Sequence, residues 1–226
     1  MAETKSLKEQ NAWLIRAAMI AHIIAFVWIA LEPGKLIKAG SVELGKRLEG
    51  LALPGSASLG IIVIASLLLL GLIPPDWRDR IIHLRWYNPL PGCRAFSVIG
   101  PKSSHVDMQA LTARIGVLPN DPAAQNRLFY RLYKPLRDDI GVCDAHRRYL
   151  AARDIGTISA LLVMPLPIMT MIATHNAARS GWYGALLLLT YLFCALAAKN
   201  YSYRMVQHVL ALTAAQDLTS PVTPSP

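Results

Sequence analysis

Four apolar stretches, near residues 12–31, 57–73, 155–173 and 182–198, bracket a strongly basic polar segment near 75–154. A bilayer hydrocarbon core about 30 Å thick needs about 20 helical residues, with about 17 tolerated, because lipid offers backbone amides no partner except one another. Each stretch reaches that lower limit, so the pattern predicts four transmembrane helices. The second and fourth are the shortest, and the third is interrupted by Pro165 and Pro167. The predicted fold is an all-α integral membrane protein with a small helical cytoplasmic module between the second and third spans. Its segments are an N-terminal transmembrane pair (1–74), the basic module (75–154), a C-terminal pair (155–204) and a partly disordered tail (205–226).

Composition agrees. The 226 residues are 54% hydrophobic and 16% charged, with positive mean hydropathy, whereas soluble domains carry about 25% charged residues. Lys5 and Lys8 ahead of an apolar run also describe a secretory signal. The run ends in Glu32-Pro33-Gly34 without a small-x-small cleavage pattern, so it reads as a retained signal anchor.

Charge sets the orientation. Segment 75–154 holds thirteen of the 23 Lys and Arg against eight Asp, and Lys5, Lys8, Lys199 and Arg204 fall on the same side of a four-span layout. Basic flanks stay cytoplasmic, which places both termini and the module inside, in the inner (cytoplasmic) membrane. The outer loop 32–56 carries Leu36, Ile37, Leu44, Leu48 and Leu51 at helical spacing beside Lys35, Lys38, Lys46 and Arg47. Both an interfacial amphipathic segment and a solvated loop fit that pattern.

Within the module, Asp76 suits the N-cap of a helix over 77–86 whose Arg78, Arg80 and Arg85 meet headgroups. Ser103 or Ser104 suits the cap of a helix over 105–115, and Asp121-Pro122 opens one over 122–134 with Leu128, Phe129, Leu132, Tyr133 and Leu136 as its apolar face. Asp144 suits the cap of a helix over 145–154 that continues into span three. The Ser/Thr/Pro-rich stretch from Asp217 reads as disordered. A module of about 80 residues buries little core alone and is expected to lean on the membrane or on a neighbouring subunit.

No nucleophile elbow, P-loop, dinucleotide fingerprint or HExxH helix occurs, so the sequence points away from an enzyme and implies no cofactor. Cys143 and His146 lie three apart, but Cys93 lacks a close Cys or His to complete a zinc set, and no metal site is assigned. Among ionisable residues in the spans, Arg16, His22 and His175 stand out, and no carboxylate lies near a midplane, which argues against ion-driven transport.

The basic helices carry the remaining chemistry. Arg127, Arg131, Tyr133, Lys134, Arg147 and Arg148 combine guanidinium and ammonium groups with aromatic rings, the types that grip phosphates and stack on bases. Pro165 and Pro167 break span three and suit a gating hinge. The expected function is a membrane-anchored sensor or effector whose basic module binds a phosphate-bearing ligand or partner and alters the packing or permeability of the spans. The alternative is a non-catalytic scaffold that docks a cytoplasmic protein or anionic lipid. Expected partners are membrane lipids, further copies of the chain in a homo-oligomer, and a nucleotide or cytoplasmic protein.

Overall fold

The computed structural model describes residues 7–31, 55–65 and 72–216, with positions 45, 46, 49 and 52. Most of the outer loop 32–56, residues 66–71 of the second apolar stretch and the tail from Asp217 lie outside the described residues. Every regular element among the described residues is helical: α1 (Leu7–Leu31), α2 (Gly55–Ala65), α3 (Pro75–His83), α4 (Met108–Ile115), α5 (Pro122–Leu136), α6 (Ile140–Leu162), α7 (Pro165–Thr174) and α8 (Ala177–Ala215). A 3-10 turn, Pro91–Arg94, and a π turn, Ala95–Ile99, join α3 to α4.

Two helices, α1 and α8, are long and apolar enough to cross a membrane, and α6 with α7 makes a third if that pair, bent by 46°, counts as one span. Their outward side chains have the composition of a lipid-facing surface. Ile20, Ile24 and Val27 on α1, Ile168 and Ile172 on α7, and Leu188, Leu189, Leu192 and Phe193 on α8 are all exposed. An apolar surface of that extent is typical of membrane contact and rare on soluble monomers. Exposed Trp13 and Trp28 stand about 22 Å apart along α1, short of the roughly 30 Å between the two faces of a hydrocarbon core. At 39 residues α8 is about 58 Å long, nearly twice a hydrocarbon core, so much of it must lie outside lipid.

The chain forms two compact units, Met1–Ile82 with Leu150–Leu196, and His83–Tyr149 with Ala197–Pro226. In the first, Ile15, Phe26, Ile62, Ile158, Leu162, Leu166, Tyr183 and Leu187 make the core. Gly156 lets the helices approach closely: a Cβ there would strike Ile82 Cδ1 and come within 2.8 Å of Cys194 Cβ. Polar groups inside this unit are tied to one another. Ser159 Oγ donates to the Ile155 carbonyl at 3.1 Å, so it accepts from His22 Nε2 at 3.2 Å, while the Tyr183 hydroxyl donates to the His22 carbonyl at 3.0 Å. Arg16 and His175 are exposed, and His175 ends α7 in the left-handed conformation.

In the second unit, Phe96, Ile99, Leu111, Phe129 and Val142 close around Val206, Val209 and Leu210 of α8. Residues 205–215, at the head of what the sequence reads as tail, are thus helix, and their apolar face supplies the partner that the short module lacks alone. Leu128, Leu132, Tyr133 and Leu136 of α5 pack against the same core. Gln125, almost fully buried, ties α5 to the π turn: its Oε1 accepts from the Phe96 and Ser97 amides, and its Nε2 donates to the Asn120 carbonyl.

Several boundaries differ from the sequence expectation, each for a local reason. Asp107 rather than a serine caps α4, accepting from the Gln109 and Ala110 amides at 2.9 Å. The carboxylate of Asp139 takes the Gly141 and Val142 amides, so α6 starts at Ile140, ahead of Asp144. Leu84, with φ of +50°, ends α3 at His83, short of Trp86. Asp121 does cap α5, accepting from the Ala124 amide at 2.8 Å with Pro122 in the first turn.

Candidate ligand-binding surface

The second unit holds a cationic surplus. Over 83–149 and 197–216 it carries twelve Lys and Arg against five Asp. On α5, Arg127 and Arg131 lie one turn apart, which puts both guanidinium groups on one face. With Asn126 and Tyr130 they line a cavity of about 640 Å³. Arg127, Tyr130 and Arg131 are exposed and no carboxylate lines the cavity, so the cations meet an incoming anion at full charge. The phenol ring of Tyr130 offers a flat face beside them.

The other sequence-predicted residues divide differently. Tyr133 points inward from α5: its hydroxyl shares a 2.8 Å hydrogen bond with His146 Nδ1, and its ring stacks on Phe129. Burial, with the neighbouring Cys143 adding to it, raises the Tyr133 phenol above its ordinary value, so it stays protonated at neutral pH. Lys134 is exposed on the same helix. On α6, Arg147 and Arg148 both bind Asp144, at 3.1 and 2.8 Å, and Arg148 also lies over the Tyr201 ring. Their charge is therefore half neutralised within one turn of helix. Pro165 opens α7 directly after the 46° bend, and Pro167 lies two residues further into α7, its carbonyl accepting from Ser180 Oγ at 2.7 Å.

The hydrogen bond from Arg148, with that from Arg147, holds the Asp144 carboxyl below the ordinary aspartate value. A carboxyl lowered on folding stabilises the fold above its unfolded value, about 3.9, and loses that contribution as pH falls through the lower folded value. Because the group is exposed, its effect is small. Asp144→Asn is expected to change stability by no more than about 1 kcal/mol while removing the carboxylate that pairs with both arginines. Thermal unfolding together with salt-dependent retention on a phosphate-bearing resin checks both halves of that expectation.

Sequence reasoning missed a buried charge network in the first unit. Arg78, Asp79, Arg153 and Asp154 are each 6% exposed or less. Arg153 spans Asp79 at 3.4 Å and Asp154 at 3.0 Å, while Arg78 pairs with Asp154 at 3.5 Å and donates from Nε to the Ile73 carbonyl. Two cations and two anions cancel, which is what permits them to be buried. Arg78 is thus a core residue and not the headgroup contact that the sequence suggests. The available signal was the repeated Arg-Asp dipeptide at 78–79 and 153–154, each beside an apolar stretch.

Among the described residues, no three His, Cys, Asp or Glu side chains converge as a metal set. Cys93 is buried, and burial pushes its thiol above the ordinary value. The chain matches no protein-family model, no curated protein and no solved structure.

Proposed function

We infer that this chain is a membrane-anchored sensor whose basic unit binds a phosphate-bearing ligand and, on binding, changes the packing or permeability of its apolar helices. The observation that carries this reading is the cavity of Arg127, Arg131, Asn126 and Tyr130, which offers two guanidinium forks, an amide and an aromatic face with no competing carboxylate. That set suits a ligand with a phosphate and a ring, a nucleotide above all. The topology proposed is four spans with both termini cytoplasmic in the inner membrane. The lipid-like surfaces of α1, α7 and α8 and the basic residues that follow the apolar part of α8 support it. Four slim spans leave no room for an internal pathway, so a pore would form between copies in a homo-oligomer.

The scaffold reading draws support from Arg147 and Arg148, which Asp144 already engages and which are therefore better suited to a polar protein contact than to gripping phosphate. Titrating the full-length protein in neutral-lipid nanodiscs with a nucleotide panel separates the two. The sensor reading expects saturable binding that weakens about tenfold or more in Arg127→Ala/Arg131→Ala, the effect of losing charge-assisted hydrogen bonds. Unchanged affinity in that variant would overturn this assignment of the site.

A further inference from the structure

A second cavity in the same unit, about 380 Å³, is lined by His83, Leu84, Arg85, Arg94, Lys199 and Tyr203. It shares no residue with the Arg127–Arg131 cavity. Three cations line it and no carboxylate does, and among the described residues no carboxylate forms an ion pair with Arg85, Arg94 or Lys199. Like charges brought to one cavity repel, and the cost is recovered when an anion sits among them. Arg94 is the most telling of the three. Its Nε is shut off from solvent and has no hydrogen-bond partner among the described residues, an arrangement that costs free energy unless the guanidinium is engaged elsewhere. Burial, with the charge of Arg85 beside it, holds the Arg94 guanidinium below its usual value, against the opposing influence of Tyr203.

The backbone around the cavity is also unusual. Leu84, between His83 and Arg85, is a branched residue at φ of +50° and 72% exposed, so neither its conformation nor its burial rewards its placement. Side chains other than glycine rarely adopt that left-handed turn, and it connects two residues lining the cavity. Lys199 directly follows the apolar stretch 182–198, and its ammonium lies 5.9 Å from the Tyr203 ring centre.

We propose that Arg85, Arg94 and Lys199, with the hydroxyl of Tyr203, form a binding site for a phosphate monoester. A terminal monoester carries nearly two negative charges and three acceptor oxygens, which matches three converging cations better than the single charge of a diester. Both a soluble phosphomonoester and the headgroup of a lipid such as phosphatidic acid present that group. The place of Lys199 at the end of an apolar stretch brings either within reach.

The test uses full-length protein in nanodiscs. In one arm the bilayer is phosphatidylcholine with or without phosphatidic acid; in the other it is phosphatidylcholine alone, titrated with adenosine 5′-monophosphate. The unfolding midpoint and the phosphorus NMR signal of each probe are followed. Saturable stabilisation in the first arm alone identifies a lipid headgroup, and in the second a soluble ester; either supports the site, provided Arg94→Gln and Lys199→Gln each weaken it about tenfold or more. Lys199 is exposed, so its variant tests the site even if Arg94→Gln folds poorly. Binding lost in Arg127→Ala/Arg131→Ala but kept in Lys199→Gln would assign the phosphate to the other cavity and overturn this proposal, as would silence in both arms.

Discussion

Replacing Arg153 by Met will destabilise the first unit by about 3–5 kcal/mol, because it removes the 3.4 Å ion pair to Asp79 and the 3.0 Å ion pair to Asp154 at sites exposed by 6% or less. A buried ion pair need not stabilise relative to an apolar pair of the same shape, but a buried charge whose partner is removed must be desolvated without return. The second variant in the series therefore matters as much as the first. Arg153→Met with Asp79→Leu removes one charge of each sign and keeps the Arg78–Asp154 pair, and it should recover most of the loss. Thermal unfolding in detergent reads both. A single variant within about 1 kcal/mol of the parent would mean that water reaches the network.

The second large effect is expected at Leu210. This side chain is fully buried in the second unit, among residues of the π turn, α4 and α5. Leu210→Ala removes its methyl groups and leaves a cavity, a change that costs about 2–5 kcal/mol in a closed core. A tail that merely trailed from the last apolar stretch would tolerate the change within about 0.5 kcal/mol. Unfolding monitored by the near-ultraviolet signal of the unit's tyrosines distinguishes the two, since Tyr133 and Tyr149 belong to the same unit.

Much of the helical layout was legible because it rests on short-range rules. Asp121-Pro122 announces α5 by cap and φ preference alone, and Leu128, Phe129 and Leu132 recur at the spacing of one helix face. What the pattern could not reveal depends on partners distant in sequence. That residues 205–215 serve the module follows from a core shared across more than sixty positions, in which Leu210 and Phe129 both take part, and hydropathy read locally cannot see it.

The same distinction governs the candidate sites. Arg127 and Arg131 were legible as a pair because one helical turn separates them. The Arg85, Arg94 and Lys199 cluster was not, since its members come from the stretch after α3, a 3-10 segment and the middle of α8. Nor was the buried role of Arg78 and Arg153: a basic residue beside an apolar stretch reads first as a headgroup contact, and only the matching aspartates reveal otherwise.

The most direct test of the sensor reading is permeability. Purified full-length protein in liposomes loaded with a self-quenching dye is exposed to nucleotides and short oligonucleotides, with insertion verified by flotation. The account predicts leakage that depends on a ligand of the panel and is lost in Arg127→Ala/Arg131→Ala. Leakage indifferent to every ligand, or none at all from correctly inserted protein, would contradict it.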